Sequence, residues 1–216
     1  MIKAIFLTSG CAALLSLFQL NVSSVDAQVP RPDVQFTIGR LHHQSDLHEY
    51  YALRFEDGPA LGIGVTFPVR KSLDVRFLIE SASSHLTGAQ IDERHSRDTK
   101  DHRLTIQTQI LAKFPVSRFL TPYVGGGAGF RRFQVNSEVL GGDIVWAPWK
   151  EPQLQPIVSV VGGLSTPPLG NRATVFAEIR YSIARFRAGE DSWGLPEDPI
   201  DWQREIQPNA GFAISF

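Results

Sequence analysis

Cysteine is almost absent from this chain. The one copy, Cys11, lies in an amino-terminal segment that reads as a leader, so the remaining residues have no disulfide and no thiol chemistry. A strong charge of either sign is also missing: 21 Lys plus Arg stand against 22 Asp plus Glu, which argues against nucleic acid as a partner. Beyond the leader no stretch approaches the roughly 20 apolar residues of a membrane-spanning helix. The Gly-rich stretch near residue 125 matches neither phosphate-binding glycine pattern, and no cofactor is expected.

The amino terminus has the order of a secretory signal: a charge at Lys3, a mostly apolar run from Ala4 to Leu20, and small residues at Val25-Asp-Ala27. Cleavage is expected after Ala27, giving a signal peptide over 1–27 and one domain over 28–216. Cys11 sits too early in the apolar run for a lipoprotein signal.

What the mature region does have is alternation. The final residues, Ile206 to Phe216, place Pro208, Ala210, Phe212, Ile214 and Phe216 on one face and Gln207, Asn209, Gly211, Ala213 and Ser215 on the other. Further strands are expected near Asp33 to Leu41, Pro59 to Val69, Ser72 to Ser83, His102 to Phe114, Thr121 to Val135, Leu154 to Ser165 and Ala173 to Phe186. In the third of these eight, Leu73, Val75, Phe77 and Ile79 oppose Asp74, Arg76 and Glu80. In the fourth, Leu104, Ile106, Ile110 and Phe114 oppose Thr105, Gln107, Gln109 and Lys113. In the seventh, Val175, Ala177, Ile179, Tyr181 and Ile183 oppose Glu178, Arg180 and Ser182.

Alternation alone does not separate a membrane barrel from a soluble sandwich, because both have one apolar and one polar face. Connection lengths do. Short links at 70–71, 115–120 and 166–172 alternate with long polar ones at 42–58, 84–101, 136–153 and 187–204. That is the layout of an eight-stranded, antiparallel, up-and-down transmembrane β-barrel with short periplasmic turns and long extracellular loops. Aromatic residues divide the same way. Phe67, Phe114, Phe119, Tyr123 and Phe216 are expected in a girdle at the short-turn end. Tyr50, Tyr51, Phe55, Phe130, Phe133, Trp146, Trp149, Trp193 and Trp202 are expected at the other.

Two motifs carry a family resemblance. The aromatic-terminated strand ending Phe212-Ala-Ile214-Ser-Phe216 resembles the closing strand of bacterial outer-membrane barrels. Thr121-Pro-Tyr-Val-Gly-Gly-Gly-Ala-Gly-Phe130 resembles the Pro-Tyr-x-Gly-x-Gly-x-Gly strand of the opacity-protein and OmpA-type superfamily of small outer-membrane barrels. Glycines fall on both faces of that strand, so its inner and outer sides are not assigned from sequence. The resemblance implies an all-β chain in the bacterial outer membrane, with outer-membrane lipid and the barrel-assembly machinery as partners. Phe212, Ile214 and Phe216 would serve as the carboxyl-terminal assembly signal.

The expected lumen set is Asp74, Arg76, Glu80, Gln107, Gln109, Lys113, Glu178 and Arg180. Eight strands leave room only for side chains, and opposite charges buried there should pair, which implies a plugged barrel. The expected role is structural, adhesive or loop-mediated surface binding.

Two alternatives remain at this point. A lipid A-modifying enzyme would need a serine, a histidine and an acid at the outer rim, for which Ser83, Ser84, His85, Asp92, Glu93, His95, Ser96, Asp98 and His102 supply the residue types without a recognisable arrangement. No catalytic residue is assigned. A soluble, lipocalin-like exported barrel would need the Leu73, Val75, Phe77, Ile79 face turned inward. All six histidines, His42, His43, His48, His85, His95 and His102, fall toward the long-loop side, with no spacing tied to a metal geometry, so no metal is expected.

Overall fold

The computed structural model describes residues 31–44, 54–87, 99–117, 119–137, 152–167, 172–186 and 201–215. The signal segment, the long-loop centres and Phe216 lie outside them. Among the described residues nine strands form: β1 (Asp33–His43), β2 (Arg54–Phe55), β3 (Gly58–Arg70), β4 (Leu73–Thr87), β5 (Thr99–Lys113), β6 (Thr121–Ser137), β7 (Gln153–Ser165), β8 (Ala173–Phe186) and β9 (Asp201–Ser215). All pairings are antiparallel. Each of the eight long strands pairs with the long strands next to it in sequence, and β1 pairs with β9, so these eight close on themselves, while the short β2 pairs with β4 alone.

The expected strands are all present, several of them longer. β4 runs on to Thr87, β5 starts at Thr99 and β9 starts at Asp201, so Ser84, His85 and Asp101 lie on strands and not in a loop. The ladder of β2 with β4, Arg54 to Thr87 and Phe55 to Leu86, was not foreseen; two residues carry too little pattern to read. A register shift between Pro68 and Arg70 leads into the tight Lys71-Ser72 turn. Proline has no N–H to give a ladder. Accordingly the β1–β9 pairing lapses opposite Gln207 and Pro208 and resumes at His42 with Ile206.

Polarity fixes what the barrel faces. Ile38, Leu61, Ile79, Ile106, Ile110, Val160, Ile179 and Phe212 are exposed on the outer surface, while Gln35, Asp74, Arg76, Glu80, Gln109, Glu178 and Arg180 are buried inside. Water would drive this arrangement inside out; hydrocarbon stabilises it. A lipocalin-like barrel needs the opposite polarity, and the face of Leu73, Val75, Phe77 and Ile79 points outward here. No described helix is long and apolar enough to cross a membrane, and the described chain is built from strands throughout. Along β5 and the residue after it, the outer positions from Leu104 to Phe114 are apolar apart from Thr108. At about 3.4 Å per residue and a tilt of about 45°, that stripe is on the order of 25 Å tall, the height of a hydrocarbon band.

The girdle expectation needs two corrections. Phe114, Phe119, Phe130 and Trp202 are on the outside, and Phe67 packs edge-on against Phe77 at 6.0 Å. Tyr123 and Phe133, however, are buried in the lumen. Both share the parity of Gly125, Gly127, Gly129 and Arg131, which is the inner face of β6. The side chain of Phe55 and residues Tyr50, Tyr51, Trp146, Trp149, Trp193 and Phe216 lie outside the described residues.

Candidate functional site

The lumen is the site the fold builds. Inward positions of eight strands converge on it, and they carry Arg76, Arg103, Arg131 and Arg180 against Asp74, Glu80, Asp101, Glu178 and Glu205, all buried. Lys113, partly exposed, supplies the fifth cation and pairs with Asp74 toward the short-turn end. An unpaired charge in such an interior is costly, and each of these charges meets one of opposite sign.

A lower cluster is centred on Glu178. Arg76 Nη1 donates to Glu178 Oε2 at 2.7 Å, Arg180 Nη2 to its Oε1 at 2.9 Å, and the Tyr123 hydroxyl to Oε2 at 2.9 Å. Arg76 also donates from Nε to Gln109 Oε1 at 2.7 Å. Arg180 Nη1 reaches Glu80 Oε2 at 2.8 Å, where Gln207 Nε2 also donates at 2.7 Å. Ser159 Oγ donates to Gln107 Oε1 at 2.9 Å and extends the network around the wall. In the closed order β4 and β8 are four strands apart out of eight, hence opposite each other. Arg76–Glu178 and Glu80–Arg180 therefore cross the full diameter, with the charges exchanged between the two rungs.

An upper cluster is centred on Glu205. Arg131 grips it with Nη1 at 2.7 Å and Nη2 at 2.5 Å, a bidentate pair, and Arg103 Nη1 bonds Oε1. Since β5 and β9 are also opposite, Arg103–Glu205 is a third crossing. Asp101 accepts from Arg103 Nε and from the Ser84 backbone N–H at 2.8 Å; its Oδ1 also takes the Ser84 hydroxyl. Arg103 stacks over the Phe133 ring at 5.4 Å, and His43 Nδ1 lies 3.7 Å from Glu205.

The structure places Asp74, Arg76, Glu80, Gln107, Gln109, Lys113, Glu178 and Arg180 on the inner face and joins them in the contacts above. The Glu205 cluster was missed from sequence. Its signal was present, since Asp101 and Arg103 continue the parity of Thr105 and Gln107, and Glu205 that of Gln207. Above the apolar band both faces turn polar, and alternation fades from view.

The glycines of β6 explain how the bulk fits. An added Cβ at Gly125, Gly127 or Gly129 would come within 2.0–2.3 Å of a β5 carbonyl oxygen. Glycine lets the two strands coil closely here, with Leu111, Gln109 and Gln107 leaning across the gap.

The residues weighed for catalysis do not assemble among those described. Ser84 is inward and bound to Asp101, whereas Ser83, His85 and His102 share the outer face. Asp92, Glu93, His95, Ser96 and Asp98 lie outside the described residues, as does His48. His42 is outward, with Nδ1 2.5 Å from Asp57. No cluster of three potential metal ligands occurs among the described residues.

No protein-family model and no curated protein sequence matches the chain. Solved structures do. Neisserial surface protein A (NspA) superposes with a TM-score of 0.57 at 17% identity, over 86% of this chain and 97% of that one. The outer membrane protein OprG from Pseudomonas aeruginosa gives 0.53 at 10% identity, over 89% and 99%. This is the fold of the small outer-membrane β-barrels. The outer membrane protein AlkL, solved in DMPC lipid bilayers, aligns with a TM-score of 0.50 at 15% identity, over 91% of this chain and 94% of that one. At these identities the likeness is one of architecture, and the polar lumen of this outer-membrane barrel fold has to be read from its own residues.

Proposed function

We propose that the protein is an integral outer-membrane barrel whose lumen is braced shut, and that its biological work is structural, adhesive or binding through the long loops. The observation that carries this reading is the set of three ion pairs crossing the diameter, Arg76–Glu178, Arg180–Glu80 and Arg103–Glu205. Each occupies the path a solute would take and is held by further hydrogen bonds. A pore of any width would have to break them, and breaking a buried pair leaves an uncompensated charge.

On this reading residues 1–27 are a signal peptide that is removed after Ala27. The barrel-assembly machinery reads the end of β9, where Phe212 is exposed and stacks on Phe36 of β1 at 5.1 Å. Ile214 and Phe216 complete that signal. The long connections face outward from the cell, where variable recognition concentrates. Fractionation of cells expressing the full chain, followed by electrophoresis with and without boiling, tests the reading. Outer-membrane protein whose migration shifts on boiling is the expected result. Soluble periplasmic protein with no shift would refute it.

A further inference from the structure

Above the apolar band, the outer faces of β5 and β6 change character within one residue pair. Ile106 opposes Phe130, both apolar and exposed. The next outward pair is Leu104 with Arg132, and the one after is His102 with Gln134. Lys100 follows on β5 and lies opposite His85 of β4. Lys100, His102 and Arg132 are all exposed, and the Arg132 Nη2 lies 3.5 Å from Gln134 Oε1. At this level the other described outward side chains of β4 to β6 are Ser81, Ser83, His85, Leu104 and Gln134, so no carboxylate offsets the cations from these three strands. Glu56, whose N–H donates to the His85 carbonyl at 2.8 Å, marks the β3 margin of the patch.

The wall formed by β1 and β3 is different. There Arg40 and His42 share Asp57, at 3.7 Å and 2.5 Å. Their charge is already answered by protein.

We infer that Lys100, His102 and Arg132 form a docking site for the phosphorylated headgroup of an outer-leaflet glycolipid whose acyl chains lie against Leu104, Ile106 and Phe130. Two features select a lipid over a soluble polyanion. The patch points sideways from the wall, and it is continuous with the lipid-facing apolar stripe. A ligand with anionic and hydrocarbon parts joined in one molecule engages both at once. Arginine and lysine at a headgroup level attract anionic lipid, and the guanidinium adds bidentate phosphate bonding. The inference rests on the membrane-barrel reading above.

The test uses the full mature chain in phosphatidylcholine nanodiscs doped with lipid A or with enzymatically dephosphorylated lipid A, bound glycolipid being counted by native mass spectrometry. Wild type should retain lipid A roughly tenfold better than the Lys100→Gln, Arg132→Gln double variant. The two should hold the dephosphorylated form equally, and Arg40→Gln should behave as wild type. Equal retention of lipid A by wild type and double variant would overturn the proposal. So would displacement by inorganic phosphate, which would make the site one for free phosphate, or by dextran sulfate, which would make it one for a soluble polyanion. Both proteins should shift on boiling; if wild type does not, the membrane reading has failed and not this site alone.

Discussion

Arg76 and Glu178 stand 102 residues apart in sequence and on opposite walls of the barrel, yet their side chains meet at 2.7 Å. The bond is a diameter. It ties β4 to β8 through the lumen, where the sheet's own ladders cannot reach, and Arg180–Glu80 repeats the tie with the charges exchanged.

Removing one end of this brace strands the other. Arg76→Ala should destabilise the barrel by about 3–5 kcal/mol, whereas replacing both partners by apolar residues of similar volume should cost much less. Urea unfolding in detergent, followed by loss of the heat-modifiable band, measures the difference. A double-variant loss equal to the sum of the two single-variant losses would mean that the pair is not coupled.

On the lipid face the sign of a mutation reports the solvent. Ile110 is 56% exposed near the middle of the apolar stripe. In a bilayer Ile110→Arg should cost about 2–4 kcal/mol. In a water-soluble barrel the same exposed substitution would be nearly neutral. Folding yield into lipid vesicles across a urea series separates these outcomes.

Glycines offer a paired comparison. An added Cβ at Gly127 would sit 2.2 Å from the Thr108 carbonyl oxygen, whereas at Gly162 it would meet nothing within 4 Å. Gly127→Ala should therefore cost about 1–3 kcal/mol through forced backbone movement, and Gly162→Ala should stay within about 0.5 kcal/mol. The thermal midpoint of the boiling shift reads both.

At the seam, Phe212 of β9 stacks on Phe36 of β1 at 5.1 Å. Phe212→Ala should slow assembly in cells and lower closure stability by about 1 kcal/mol or more. Pulse-chase accumulation of the unshifted band would show it. Unchanged kinetics would remove Phe212 from the proposed assembly signal.

Much of this fold was legible in the sequence because a side-chain period of two is hard to disguise where lipid meets a polar lumen. Asp74, Arg76 and Glu80 alternate with Leu73, Val75, Phe77 and Ile79, and that contrast gives face and register together. The lower lumen was readable for that reason. The upper lumen was less so. Asp101 and Arg103 alternate with Lys100 and His102, polar against polar, so a strand start was placed one residue too late to include Asp101 and its partner was not sought. On β6 the glycines erase the contrast, which hid Arg131 and left Tyr123 and Phe133 among the expected girdle aromatics. Cross-lumen partners such as Arg103 and Glu205 depend on which strands stand opposite, and that follows only once the barrel closes on eight.

Single-channel recording in planar bilayers tests the braced lumen most directly. Wild type should show no sustained conductance steps. The variant with all three crossings removed, Arg76→Ala, Glu178→Ala, Glu80→Ala, Arg180→Ala, Arg103→Ala and Glu205→Ala, which takes away equal numbers of each sign, should show discrete ones. Steady open-pore conductance by wild type, unchanged in that variant, would contradict the account.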